Sequence, residues 1–90
     1  MVVRRKHVWV SGRVQGVWFR QSCSEIAHHL GVCGWVRNCV DGRVEAVFEG
    51  EEAAVDEMVT WCYNGPPRAV VTRVQVAVEV PEGCNGFGVT

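Results

Sequence analysis

Polar and apolar residues alternate over residues 5–11, with Val8 and Val10 on one side and His7, Trp9 and Ser11 on the other. A period of two is that of a strand with one face buried. The spacing then changes. Over 19–30, Phe19, Cys23, Ile26, Ala27 and Leu30 fall on one stripe at the helical period, and Gly31 stands where a glycine closes a helix. Residues 32–38 predict a short second strand, and Asp41-Gly42 is a hairpin-turn dipeptide. Alternation resumes over 43–49, where Val44, Ala46 and Phe48 oppose Arg43, Glu45 and Glu49. Gly50 is followed by Glu51 and Glu52, acids that suit the positive end of a helix. The buried stripe of that helix is Val55, Met58, Val59 and Cys62, and Gly65-Pro66-Pro67 stops it. A valine-rich alternation over 69–79 and a short strand over 86–89 complete the set.

The order is β-α-β-β-α-β with a short terminal strand. This is the α+β, ferredoxin-like split βαβ sandwich: an antiparallel sheet with two helices on one face. The other face is left partly open, and Trp9 is expected there. There are no repeats, low-complexity tracts or linkers, so residues 1–90 are expected to form a single domain.

Composition narrows the function. With 48% hydrophobic and 21% charged residues the chain reads as globular. Its net charge of −1 provides no bulk positive field for nucleic acid or an anionic membrane. Any anion site must therefore be local, built from a few aimed donors. No apolar run approaches a membrane span, and the N-terminus lacks a signal-peptide core. The five cysteines, Cys23, Cys33, Cys39, Cys62 and Cys84, show no zinc spacing. Reduced, mostly buried thiols in a cytoplasmic protein are the expectation, with one disulfide left open.

The stretch GRVQGVWFR, residues 12–20, joins the first strand to the first helix. Gly12 and Gly16 can adopt backbone angles closed to other residues. The stretch contains no proline, so every residue offers an N–H, and successive N–H groups turned inward make an anion nest. The helix that follows adds unpaired N–H groups and a favourable dipole. Arg20 stands in its first turn, where the dipole disfavours a cation unless an anion is bound beside it. Asn38 ends the second strand in GWVRN and meets the loop if the two strands lie close. Taken singly, the glycines also fit a plain strand-to-helix turn, and Asn38 a turn former.

Together, these segments resemble the acylphosphatase family. Gly12, Val14, Gln15, Gly16, Val17, Phe19 and Arg20 match its G-x-V-Q-G-V-x-F-R loop, and Gly34 to Asn38 match its G-[WY]-[VA]-x-N segment. The resemblance implies hydrolysis of carboxyl phosphates such as acetyl phosphate, with no metal or organic cofactor. It implies that the backbone amides of Gln15, Gly16, Val17, Trp18 and Phe19 bind the phosphate with Arg20, and that Asn38 positions the attacking water. The partner would be a small-molecule acyl phosphate, not nucleic acid or a membrane, and a monomer is expected. The end of the chain, Phe87-Gly88-Val89-Thr90, departs from the basic or aromatic finish common in the family.

Other chemistries fit less well. His28 and His29 are adjacent, and His7 is distant, so no helical ligand pair exists. Cys23 falls on the apolar stripe, where core is the better reading than nucleophile. Glu51, Glu52, Asp56 and Glu57 read as a solvated helix face. Trp9 and Trp35 invite comparison with RNA-binding sheets of this fold, but the basic-aromatic strand such modules use is missing.

Overall fold

The computed structural model describes residues 1–90. The elements follow the predicted order: β1 (Val3–Arg13), α1 (Phe19–Leu30), β2 (Cys33–Asn38), β3 (Val44–Glu51), α2 (Glu52–Cys62), β4 (Val70–Glu79) and β5 (Phe87–Val89). They build one sheet in the order β4-β1-β3-β2-β5. Consecutive strands β1 and β2 are separated by β3, which pairs antiparallel with both. β4 pairs antiparallel with the other edge of β1. The expected antiparallel sheet therefore holds for four strands. The short terminal strand β5 joins β2 in parallel, so the sheet as a whole is mixed.

Helix α1 begins and ends where its periodicity places it. Phe19, Cys23 and Ala27 are buried, and Gly31 takes a left-handed φ of 71° at its end. α2 buries Val55, Met58 and Cys62. These side chains meet Val8, Val10, Val36, Val44, Ala46 and Phe48 of the sheet in one core.

Two glycines are required by close approach of neighbouring strands. A Cβ on Gly12 would collide with the carbonyl of Val70, and one on Gly34 with the carbonyl of Val47. Gly12 also sits at a bulge, where the β1–β4 register shifts after Ser11. Its role is thus in the sheet, and the conformational freedom of the following loop rests on Gly16.

The sheet face away from the helices is covered by side chains. Trp9 lies there as expected, stacked on His7 with ring centroids 4.1 Å apart. The two His7 ring nitrogens lie 2.6 Å from Glu45 and 2.7 Å from Glu79. Arg5 bridges Glu49 and Glu79, both at 3.1 Å. Arg37 pairs with Glu45 at 2.6 Å and lies over the Trp35 ring. The polar alternation in β3 is therefore not solvated: Glu45 and Glu49 are buried beneath their partners. Burial opposes the charge on Glu45, but hydrogen bonds from Arg37 and His7 outweigh it and hold the carboxyl below its ordinary range.

Glu49 organises the segment that leads into β5. It accepts from the amides of Glu82 (2.8 Å), Gly83 (2.8 Å) and Cys84 (3.3 Å). Those bonds, Glu82 first, hold its carboxyl low despite burial. The same segment is tied to β2 by a disulfide between Cys33 and Cys84, whose Cα atoms are 5.9 Å apart. This is the one disulfide that the sequence left open, set against the expectation of reduced thiols, and it names the pair. Cys23, Cys39 and Cys62 are free. Burial raises the Cys23 thiol well above its ordinary range and pushes Cys62 up to about 12.

Two outcomes follow. The lowered carboxyl of Glu49 contributes stability above the unfolded carboxyl value and loses it as pH falls through the lower folded one. Glu49→Gln should therefore cost about 2 kcal/mol at neutral pH, and its urea midpoint should converge with that of wild type below about pH 4. A gap that persists undiminished under acid conditions would contradict this. Thiol titration of the unfolded, unreduced chain should find the three free cysteines and not five, and reduction should lower stability by about 4 kcal/mol for a loop of this length.

Candidate active site

The loop between β1 and α1 is pinned from below. Val14, Val17 and Phe19 are buried, while Trp18 between them is exposed. Phe19 packs on Trp61 at 5.0 Å between ring centroids, with Gly65 so close that a Cβ there would lie 2.7 Å from the Phe19 ring. Gly16 and Trp18 have left-handed φ values of 74° and 68°. Trp18 is the one residue other than glycine in that region. Left-handed residues at alternate positions turn successive N–H groups to one side. From Gln15 through Gln21, no backbone N–H donates to a protein acceptor; the first donor of the helix is Ser22, to the Trp18 carbonyl. The helix carries no acid in its first turn. The result is a row of free amides at the positive end of a 12-residue helix.

Gln15 contributes a side chain as well as an amide. Its Nε2 donates to the carbonyls of Cys39 (2.7 Å) and Arg43 (3.0 Å). This fastens the loop to the β2–β3 hairpin, and so to Asn38, which ends β2. Arg20 is held from the opposite side: its Nη1 donates to the Thr90 main-chain oxygen at 3.0 Å. Thr90 is itself fixed to the sheet through its N–H on the Val36 carbonyl, also 3.0 Å.

Gly16, Trp18, Phe19, Arg20 and Asn38 line one cleft of about 600 Å³, with Glu25 and Val89 at its walls. The side chains of Val17 and Phe19 are turned into the core, which leaves their amides for a ligand. Gln15 and Val17 line a neighbouring depression that shares Gly16 with the cleft. Sequence reasoning missed the Gln15 staple, the Thr90 oxygen and the backbone conformation of Trp18. Nothing local in the sequence signals any of them, because each depends on segments distant along the chain or on the closure of the loop.

Free amides, a guanidinium and a carboxamide around one cleft suit a tetrahedral oxyanion. A thiol nucleophile is not offered. Cys39 lies next to Asn38, but burial and the Glu45 carboxylate at 3.6 Å raise its thiol and disfavour the thiolate. The one cluster of metal-ligand atoms, Cys33, Glu49 and Cys84, lies elsewhere. Its sulfurs are bonded to each other and Glu49 is engaged by Arg5 and three amides, so this donor set does not suit a cation.

The chain matches the acylphosphatase family model over residues 6–89. An acylphosphatase of Gloeobacter violaceus is 59% identical over 85 residues, covering 94% of this chain and 91% of the relative. Among solved structures, an acylphosphatase from Coxiella burnetii superposes with a TM-score of 0.93 at 40% identity, covering 98% of this chain and 93% of that one. An acylphosphatase from Bacillus subtilis also gives 0.93, at 37% identity with 99% of each chain covered.

The left-handed Trp18 generates a test. Replacing an exposed residue by glycine ordinarily destabilises, through the entropy of the unfolded chain. Here the strain relieved is about 1–2 kcal/mol. Trp18→Gly should leave the melting temperature unchanged or raise it by a few degrees. A loss exceeding about 1 kcal/mol would mean that the indole packs on the protein and offsets the strain.

Proposed function

Since the chain belongs to the acylphosphatase family, hydrolases of acyl phosphates, we propose that the cleft between Gly16 and Asn38 performs that hydrolysis by in-line attack of water on a bound phosphoryl group. The free amides from Gln15 to Phe19 receive the phosphate oxygens. Arg20 forks two of them and neutralises their charge. Asn38 orients the water through its side-chain amide. The observation that carries this reading is the row of unpartnered amides from Gln15 to Gln21, of which Gly16, Trp18 and Phe19 share one cleft with Arg20 and Asn38.

The chemistry needs little more. The leaving group is a carboxylate whose acid has a pKa of about 4, so no proton must be supplied as the acyl C–O–P bridge breaks at phosphorus. The water oxygen forms the new P–O bond, and its proton passes to a phosphate oxygen of the substrate itself. Asn38 does not titrate and serves by position alone. The tasks left to the protein are alignment and charge stabilisation. The Gln15 staple supports this assignment, because it links the loop that holds phosphate to the hairpin that holds Asn38.

We further propose that residues 1–90 act as one domain and as a monomer, since one copy supplies every residue of the cleft. Neither nucleic acid nor a membrane is a partner in this reading. No helix is long and apolar enough to cross a membrane. A cytoplasmic location agrees with the three free thiols, while the Cys33–Cys84 bridge is the feature that calls for an oxidising exception.

The reading is tested with benzoyl phosphate in the presence of a chelator. Wild type should hydrolyse it. Arg20→Ala should lose at least about 100–1,000-fold in kcat/KM, as for loss of an oxyanion donor. Asn38→Ala should lose a comparable factor in kcat and still bind inorganic phosphate with near wild-type affinity. Loss of phosphate binding with normal turnover of bound substrate would refute the water-positioning role.

A further inference from the structure

The chain has nine basic side chains. Arg4, Arg5, Lys6, Arg37 and Arg43 are each paired with a carboxylate. Arg13, Arg20, Arg68 and Arg73 are not, in a protein whose net charge is −1. Three of the four unpaired arginines lie together, and Arg73 stands apart on β4 opposite Ser11. Arg20 lines the phosphoryl cleft, and Arg13 and Arg68 together line the depression beside it. The fold forces the latter two into one corner: Arg13 is in register with Val70, two residues beyond Arg68.

The depression contains no acidic residue; its other walls are Gln15, Gly16 and Val17. Gly16 belongs to both clefts, and a Cβ built there would meet nothing within 4 Å. No side chain therefore stands between the two at Gly16. Two guanidiniums gathered without a counter-charge repel each other and gain from an anion placed between them.

We propose that Arg13 and Arg68 form a second anion subsite, reached across Gly16 from the phosphoryl cleft, that selects substrates whose acyl group carries a further negative charge. The inference rests on the hydrolytic reading above and deepens it: it names two specificity-determining residues outside the reacting centre. A carboxylate or phosphate at the far end of the acyl chain supplies the chemistry they recognise. Since both arginines are exposed, their effect should weaken as salt screens them.

Non-reacting phosphonates separate this from turnover. Calorimetry would compare alkylphosphonates with and without a terminal carboxylate, on short and long spacers, for wild type, Arg13→Gln, Arg68→Gln and the double variant. At low salt the carboxylate on the best spacer should tighten wild-type binding about tenfold, about 1.4 kcal/mol. That ratio should fall to near one in the double variant and shrink in wild type at high salt. A terminal ammonium in place of the carboxylate should weaken binding. A ratio near one for every spacer, a ratio that survives in the double variant, or no phosphonate binding at all would overturn the subsite. Benzoyl phosphate turnover decides the hydrolytic reading independently. Turnover with a flat phosphonate ratio removes the subsite alone, and a clear ratio without turnover keeps the subsite and removes the hydrolysis.

Discussion

A site made of main-chain amides works only if the main chain cannot turn away to satisfy itself. Here the burial of Val14, Val17 and Phe19 imposes that constraint. Each buried side chain contributes about 1.5–3 kcal/mol of apolar burial, and their anchoring holds the intervening peptide groups in place. The N–H groups from Gln15 to Gln21 stay unpaired because the residues bearing them are fixed, and the exposed Trp18 accepts a left-handed conformation for the same reason. The cradle costs stability locally, and the core beneath it supplies the compensation.

Charge is distributed on a related plan. On the sheet face opposite the helices, Arg5, His7 and Arg37 are matched to Glu45, Glu49 and Glu79 in a layer that leaves no buried side-chain polar atom without a partner. That layer satisfies the face of the sheet that no helix covers. It also holds the 82–84 segment and, with the disulfide, aligns β5 along β2. The consequence reaches the cleft, since Thr90 follows β5 and its oxygen steadies Arg20. Cations needed for rigidity are neutralised, and three of the four left free, Arg13, Arg20 and Arg68, line the two depressions that share Gly16.

Much of this was legible before any coordinates. Period-two alternation located β1, β3 and β4, and the 3.6 period located both helices, because burial of one face is a local property repeated along each element. Strand boundaries were less legible: β1 runs from Val3 to Arg13, beyond the alternation at 5–11, because pairing with β3 and β4 on both edges extends it. The parallel setting of β5 was not legible either, since a three-residue strand carries no sign of its direction. The loop, Arg20 and Asn38 were readable as a pattern of residue types; their convergence on one cleft was not.

The sequence by itself determined the kinds of element, their order, the core stripes and the presence of a proline-free amide loop ending in an arginine. These follow from side-chain chemistry and spacing within a dozen residues. Tertiary structure alone decided which groups face each other. Gln15 finds the carbonyls of Cys39 and Arg43, Glu49 finds three amides of the 82–84 segment, Cys33 finds Cys84, and Arg13 finds Arg68 across a sheet corner. Those encounters span from 24 to 55 positions along the chain, and they depend on strand order and register. Register arises from the joint burial of all the elements at once, and no single segment contains it.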